Sequence, residues 1–139
     1  MTSKHKGNIT ELETMLSVMK LGFNVLIPYG DNERYDFVID TGSRFIKVQC
    51  KTSHSDGDGA SFSFSCRSCN RKDGKVVHRS YTNDEIDYFI TMYDNKCYLI
   101  PVEECGSGKR LRIRETKNSQ TRGITWAKQY ELEAVVCDW

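Results

Sequence analysis

A chain of 139 residues with a net formal charge of +1 can bury one hydrophobic core, and its charge balance alone points to no class of partner. We therefore expect a single domain over residues 1–139. The sequence shows no secretory signal, transit peptide or long apolar run, which predicts a cytoplasmic protein with no membrane partner. Its six cysteines are scattered, and this spacing favours reduced thiols over disulfides.

The first predicted element is an amphipathic helix that starts near Asn8 or Thr10 and ends before Gly22. Four apolar side chains recur at helical spacing: Leu12, Met15, Leu16 and Met19. This stripe is expected to face the core. Glu11 lies about 90° from the centre of the stripe on a helical wheel, so it borders the core and can reach a site on the adjoining sheet. The alternative for Glu11 is an ordinary first-turn acid favoured by the helix dipole.

A hairpin is predicted after a short strand over Phe23 to Ile27. Its two strands, Tyr35 to Ile39 and Arg44 to Cys50, are rich in β-branched and aromatic residues. Between them, Gly42-Ser43 suits a two-residue type II′ turn. A turn of this length fixes which residues of the two strands lie opposite each other.

The register of that hairpin places Asp36 opposite Gln49, with Lys51 two residues further along the same strand face. Hard cations such as Mg²⁺ take oxygen ligands. In this interpretation Asp36 anchors a metal, while Gln49 and the backbone carbonyl of Cys50 add neutral oxygens. Lys51 would orient or deprotonate an attacking water. An exposed hairpin with mixed charges explains the same residues without any site.

The remaining elements indicate an α+β fold, with several antiparallel-type strands after one leading helix. Alternation predicts a strand over Ser61 to Ser65, and a second hairpin pairs Tyr88 to Tyr93 with Lys96 to Val102 around Asp94-Asn95. Further expectations are a mobile loop over Ser53 to Ser61, a polar loop over Cys66 to Arg79, a strand over Leu111 to Arg114 and a weakly helical segment over Gly123 to Glu133.

Two basic clusters interrupt the balanced charge and suit contacts with phosphate groups. The first comprises Arg67, Arg71, Lys72, Lys75 and Arg79, and the second comprises Lys109, Arg110, Arg112, Arg114, Lys117 and Arg122. Ordinary solvated loops explain each cluster equally simply. Cys66-x-x-Cys69 is half of a zinc signature, without a second closely spaced pair of ligands.

Three motifs give the chain a resemblance to the PD-(D/E)XK nuclease superfamily, and within it to the small homing endonucleases encoded by bacterial group I introns. Lys6-Gly7-x-x-x-Glu11 is similar to the helix motif, Tyr35-Asp36 to the PD element, and Gln49-Cys50-Lys51 to the acid-x-lysine element. The resemblance covers most of residues 4 to 130. Tyr35 stands where the pattern has proline, and Gln49 stands where it has an acid.

The resemblance implies a restriction-endonuclease-like core and a site-specific double-strand DNA endonuclease of the homing type, dependent on Mg²⁺ or Mn²⁺ and encoded by a bacterium or phage. The implied catalytic residues are Glu11, Asp36, Gln49 and Lys51, and the implied metal ligands are Glu11, Asp36, Gln49 and the backbone carbonyl of Cys50. Candidate DNA contacts are Lys6, Arg67, Arg71, Lys72, Lys75, Arg79, Arg110, Arg112, Arg114 and Lys117. Because Gln49 removes a negative charge, we expect weaker metal binding than in relatives with an acid.

The implied partners are double-stranded DNA and further copies of the chain, in a dimer or tetramer. The apolar tail ending at Trp139 and the strand from Lys96 to Val102 are candidate subunit contacts, although core packing explains both equally well. Two other functions stay open. One is a structure-specific nuclease of the Holliday-junction-resolvase or repair type, and the other is a non-catalytic DNA-binding or zinc-stabilised module.

Overall fold

The structure is a computed structural model that describes residues 1–116, 118 and 122–139. Its helices are α1 (Ser3–Lys20) and α2 (Leu132–Val136), with 3-10 turns at Val102–Glu104 and Ala127–Tyr130. The strands are β1 (Asn24–Leu26), β2 (Phe37–Asp40), β3 (Phe45–Cys50), β4 (His54–Asp56), β5 (Ser61–Ser65), β6 (Arg67–Lys72), β7 (Lys75–Ser80), β8 (Tyr88–Tyr93), β9 (Lys96–Pro101) and β10 (Gly108–Arg112). They form one sheet in the order β1-β2-β3-β8-β9, a second in the order β10-β5-β4, and a two-stranded ribbon of β6 and β7. The predicted α+β class, with a mixed sheet and a leading helix, is confirmed.

The hairpin of β2 and β3 has the register expected from its turn. Asp40 pairs with Phe45, and Phe37 pairs with Val48. Gly42 has φ +91°, and a positive φ is what a type II′ turn requires at its first central position. The predicted turn and register are therefore confirmed.

The hairpin of β8 and β9 also turns at the predicted residues. Asp94 and Asn95 have φ values of 49° and 62°, the pattern of a type I′ turn. This hairpin joins the first one through a parallel pairing of β3 with β8, in which Val48 lies beside Tyr88. The sheet is therefore mixed, and the end of β3 lies in its interior rather than at an edge.

Helix α1 packs on this sheet with a face that differs from the predicted one. Its buried residues are Thr10, Thr14 and Val18. The two threonine hydroxyls donate to main-chain carbonyls of the preceding turn, Thr10 to Lys6 at 3.0 Å and Thr14 to Glu11 at 2.8 Å, so they enter the interface already paired. Three residues of the predicted core stripe are instead exposed: Leu12 (65%), Leu16 (54%) and Met19 (58%). The prediction that this stripe faces the core was wrong.

The helix also begins earlier than predicted. Thr2 is the N-cap, and its hydroxyl oxygen accepts a hydrogen bond from the His5 amide at 3.2 Å. Neither Asn8 nor Thr10 therefore caps the helix. The C-terminal prediction is confirmed, since the helix ends at Lys20 and Gly22 follows with φ +90°.

Two hydrophobic clusters lie on opposite faces of the five-stranded sheet. Side chains along β9 alternate between them, so Cys97 and Leu99 join the cluster beneath α1, and Tyr98 and Ile100 join the cluster beneath β5 and β10. Each large side chain buried in this way contributes about 1.5–3 kcal/mol. Core packing therefore accounts for the apolar residues of β9, which the sequence had also allowed as a subunit contact.

Core packing accounts for the C-terminal tail as well. The Trp139 ring lies 5.9 Å from the ring of Phe23 and 5.8 Å from the ring of Tyr88, measured between centroids. The segment before it, predicted as weakly helical, contains the 3-10 turn at Ala127–Tyr130. No helix in the described part of the chain is long and apolar enough to cross a membrane.

The segment from Cys66 to Arg79, predicted as a loop, forms the β6–β7 ribbon. Its turn, Asp73-Gly74, has φ values of 52° and 76°, as a type I′ turn requires. All of β7 is exposed, as is β6 from Cys69 onward. Neither face of the ribbon packs on a core, so its sequence lacks the alternation that marks other strands. The loop prediction was wrong, and the Asp-Gly turn was the available signal. The predicted mobile loop over residues 53–61 likewise contains a strand, β4.

Candidate active site

The acidic residue of the first hairpin lies where β2 begins. The Asp36 amide donates to the Val48 carbonyl at 2.8 Å, which continues the hairpin register by one step and sets Asp36 opposite Gln49. Its carboxylate oxygen Oδ2 accepts a hydrogen bond from the Cys50 amide at 2.8 Å. The second oxygen, Oδ1, has no partner within the described structure. The hydrogen bond to Oδ2 thus fixes the Asp36 side chain, and Oδ1 is available to a ligand.

Helix α1 brings a second carboxylate to the same place. Thr14 contacts Cys50, with the hydroxyl oxygen 3.8 Å from the sulfur, and Glu11 lies three residues earlier on the same side of the helix. Glu11 is half-buried, and among the described residues its carboxylate has no hydrogen-bond or ion-pair partner. It borders the core beside Val18 because the helix presents Thr14 and Val18 to the sheet.

Both carboxylates have a raised pKa, mainly because they are partly buried. Burial raises the pKa of Glu11 above its ordinary value, and the negative charge of Asp36 raises it further. Burial also raises the pKa of Asp36, which the Cys50 amide and the Lys51 ammonium offset only in part. A pair of partly desolvated acids with free oxygens would be stabilised by a bound cation.

Lys51 also lies close enough to Asp36 for their charges to interact. Its ammonium donates to the main-chain carbonyl of Arg67 at 3.0 Å and lies 5.1 Å from the centroid of the Tyr81 ring. Burial lowers the pKa of Lys51 below its ordinary value, although the negative charge of Asp36 opposes that change. The amine therefore loses its proton more readily than an exposed lysine would.

Gln49 makes a contact that an acid at this position could not make. Its amide nitrogen Nε2 donates to the main-chain carbonyl of Arg34 at 2.7 Å. The donor of the amide is therefore engaged, and Oε1 is the atom left for a ligand. A carboxylate at position 49 would place an acceptor oxygen beside the Arg34 carbonyl oxygen, with no hydrogen to bond them.

These residues fit a hard cation better than a soft one. The described residues contain no group of three or more His, Cys, Asp or Glu side chains placed to hold a metal ion. Mg²⁺ needs only one or two carboxylates when water and substrate phosphate complete its coordination. Glu11 and Asp36 meet that requirement, with neutral oxygens available from Gln49 and the Cys50 backbone.

The cysteine pair of the half zinc signature is separated in the fold. Cys66 is buried in the core cluster beneath β5, whereas Cys69 is exposed on β6, opposite His78. A thiol buried among apolar side chains behaves as a small core residue. The described residues therefore offer this pair no zinc site.

The first basic cluster is divided along the ribbon. Arg71, Lys72 and Lys75 lie near its tip, and their side chains have no hydrogen-bond or ion-pair partner in the described part of the chain. Arg79 at the base pairs with Glu85 at 2.9 Å. Arg67 is partly buried, and its Nε is one of two buried side-chain nitrogen or oxygen atoms in the described residues that lack a hydrogen-bond partner.

The second basic cluster is engaged within the protein. Arg110 pairs with Asp56 at 3.1 Å, and Arg114 pairs with Asp58 at 3.6 Å. Arg112 donates to the main-chain carbonyl of Arg114 at 2.6 Å, beyond the end of β10. These exposed contacts are weak and can exchange for phosphate. Lys6 is exposed on α1, and the candidate Lys117 lies outside the described residues.

Arg34 is a residue for which sequence analysis predicted no role. Its guanidinium donates to the Ser80 carbonyl at 2.7 Å, the Ser68 hydroxyl at 2.6 Å and the Glu85 carboxylate at 2.9 Å. It also lies 3.7 Å from the centroid of the Tyr81 ring. These partners are 34 to 51 positions away in the sequence, so no local pattern could have indicated them.

Known proteins share this architecture. Residues 1–133 match a family model described as PD-(D/E)XK endonuclease. The structure is also similar to that of a bacterial homing endonuclease, I-Ssp6803I, with a TM-score of 0.77 and 24% sequence identity over 94% of this chain and 89% of that chain. The curated proteins gave no match. At this level of identity the structural similarity establishes a shared fold.

Proposed function

The chain belongs to the PD-(D/E)XK endonuclease family, and on this premise we propose that it is a site-specific double-strand DNA endonuclease of the homing type, dependent on Mg²⁺ or Mn²⁺. The observation that carries the proposal is the pair of partly buried carboxylates, Glu11 and Asp36, beside Lys51. Membership of the family supports the nuclease activity. The metal and the site specificity are our inference from the residues.

Glu11 and Asp36 would hold the metal, together with Gln49 Oε1 and the backbone carbonyl of Cys50. A divalent cation bound there supplies an activated water and offsets the charge that develops on the phosphate. Asp36 is the anchoring ligand because its Oδ2 is fixed by the Cys50 amide while Oδ1 is free. Because Gln49 carries no charge, Glu11 provides the second negative charge that a divalent cation needs.

Lys51 would accept a proton from the attacking water or stabilise the charged phosphate. Burial lowers the pKa of Lys51, which makes its neutral amine easier to form than that of an exposed lysine and suits a proton acceptor. In its protonated form the ammonium would offset negative charge on the phosphate. Both roles require Lys51 to leave, or to share, its hydrogen bond with the Arg67 carbonyl.

The β6–β7 ribbon supplies the best candidate for the main DNA contact. A two-stranded ribbon fits the major groove of B-form DNA, and the cations at its tip are unpaired within the described structure. At its base, the buried Arg67 Nε needs an acceptor, which a phosphate oxygen beside Lys51 would provide. The weaker candidates are Lys6, Arg79, Arg110, Arg112, Arg114 and Lys117.

The exposed stripe of α1 favours an assembly of identical subunits. Leu12, Leu16 and Met19 recur at helical spacing on the side of α1 away from the sheet. In such an assembly, two copies of the chain would supply one active site for each strand of a duplex. We therefore infer a dimer or tetramer in which this stripe is covered.

The test is DNA cleavage by the purified protein in Mg²⁺ or in EDTA. Digested bacterial genomic DNA is sequenced at its ends to find the cut site, and a defined duplex carrying that site is then compared with a four-way junction. We expect the wild-type protein to cut the linear duplex in Mg²⁺ and not in EDTA. We expect Lys51→Ala not to cut it. A folded wild-type protein that binds the duplex and never cuts it would refute the enzyme, and preference for the junction would indicate a resolvase. A group I intron around the gene would support homing.

A further inference from the structure

Hydrogen bonds link two side chains of the candidate active site to the base of the ribbon, one directly and one through a third residue. Lys51 reaches it directly, through the Arg67 carbonyl at 3.0 Å. Gln49 reaches it through Arg34, whose main-chain carbonyl accepts the Gln49 amide at 2.7 Å while its guanidinium binds the ribbon. One residue, Arg34, therefore contacts the active site with its backbone and the ribbon with its side chain.

The guanidinium contacts both strands of the ribbon and the segment that follows it. On β6 it donates to the Ser68 hydroxyl, and on β7 to the Ser80 carbonyl. Beyond β7 it pairs with Glu85 and lies against the Tyr81 ring. Only 16% of the Arg34 side chain is exposed, so this is a packed contact and not a solvated surface pair.

Besides these contacts, the described part of the ribbon has an exposed ion pair at its base, between Arg79 and Glu85. Its residues beyond Ser68 are exposed, and its turn lies far along the two strands from the contacts at its base. A force applied to the tip is therefore borne by the base, where Arg34 and the Arg67 carbonyl are. A planar guanidinium with donors in two directions holds such a junction in one orientation, which a flexible ammonium does not.

We propose that Arg34 is a positioning residue that fixes the base of the β6–β7 ribbon against Gln49 and Lys51, so that DNA contact by the ribbon aligns these two side chains for cleavage. The proposal rests on the proposed nuclease function. It assigns to Arg34 an effect on the rate of cutting rather than on the strength of DNA binding, because its side chain is covered by the protein and does not face a ligand.

The test separates kcat from the dissociation constant for the duplex that the wild-type protein cuts. Arg34→Lys keeps the charge and loses the planar set of contacts, and Ser68→Ala removes one of those contacts. We expect Arg34→Lys to bind the duplex within about threefold of wild type and to cut with a kcat at least about tenfold lower, as misplacement of catalytic groups does. The kcat of Ser68→Ala should lie between those of wild type and Arg34→Lys. Arg44→Ala is the matched control, since Arg44 is an exposed arginine at the first hairpin turn.

Hydrogen exchange without DNA provides a second measurement that does not depend on activity. Amides of the ribbon and of residues 49–51 should exchange faster in Arg34→Lys than in Arg44→Ala, while those of β8 and β9 should not change. If Arg34→Lys cuts with the wild-type kcat, or loses activity only through weaker binding, the positioning role is wrong. If wild type cuts no DNA, the nuclease proposal fails by itself. Unchanged exchange at residues 49–51 would then overturn the structural coupling as well.

Discussion

Replacing Gln49 by glutamate tests why this chain departs from the acid-x-lysine pattern. The substitution removes the donor that binds the Arg34 carbonyl at 2.7 Å, and it adds a negative charge opposite Asp36. Losing the hydrogen bond costs about 1 kcal/mol. Two like charges about 5 Å apart on paired strands, at an effective dielectric constant of about 20, repel by roughly 3 kcal/mol. We therefore expect Gln49→Glu to be about 4 kcal/mol less stable than wild type without metal.

Metal should reverse about a third of that loss. With three carboxylates in place of two, the site should bind Mg²⁺ about tenfold more tightly, which corresponds to about 1.4 kcal/mol. The assay is thermal unfolding in EDTA and over a Mg²⁺ titration at pH 8. In EDTA the midpoint should fall by about 12–16 °C, since each kcal/mol shifts it by roughly 3–4 °C in a chain of this size. The Mg²⁺ concentration for half-maximal recovery should lie below the wild-type value.

Gln49→Met is the matched control, because it removes the amide without adding charge. It should lose only the hydrogen-bond contribution and gain no affinity for Mg²⁺. If Gln49→Glu melts at the wild-type temperature in EDTA, the repulsion inferred from the hairpin register is absent. A Mg²⁺ requirement that stays the same or rises would show that position 49 is not a metal ligand.

Three further substitutions test separate parts of the molecule. Lys51→Ala should bind the duplex and cut it at least about 10²-fold more slowly in single-turnover assays, and normal cutting would exclude a role in proton transfer. Replacing Arg71, Lys72 and Lys75 together by alanine should reduce the slope of log affinity against log salt by about 2.7, if each neutralises one phosphate. An unchanged slope would place the DNA elsewhere. Leu16→Glu, at a residue that is 54% exposed, should leave the melting temperature of the subunit nearly unchanged and lower the assembly state in analytical ultracentrifugation. An assembly that persists would remove α1 from the interface.

Local chemistry made the two central hairpins predictable. Gly42-Ser43 and Asp94-Asn95 each fix a two-residue turn, and a turn fixes the register of its strands. The position of Asp36 opposite Gln49 follows from that register alone. The same logic applied to Asp73-Gly74 would have revealed the ribbon, but its flanking strands are polar on both faces and showed no alternation to support the turn.

The orientation of α1 could not be predicted because apolar spacing does not say which surface covers a stripe. The helix buries Thr14 and Val18, whose small side chains allow close approach to β3. The Thr14 hydroxyl is already hydrogen-bonded within the helix. Leu12 and Leu16 remain available for another surface. Arg34 was missed for a related reason, since its partners depend on how distant segments pack.

The amide at position 49 is explained by the two partly buried acids beside it. Glu11 and Asp36 already raise the free energy of the metal-free fold, since burial raises the pKa of each and the charge of Asp36 raises that of Glu11 further. Because their folded pKa values lie above the ordinary ones, this cost is present at neutral pH and declines as the pH falls and they become protonated. A third carboxylate would add to it, whereas Gln49 instead donates to the Arg34 carbonyl and joins the site to the ribbon. The amide at position 49 thus adds no charge beside Glu11 and Asp36, and its hydrogen bond joins β3 to the residue that holds the base of the ribbon.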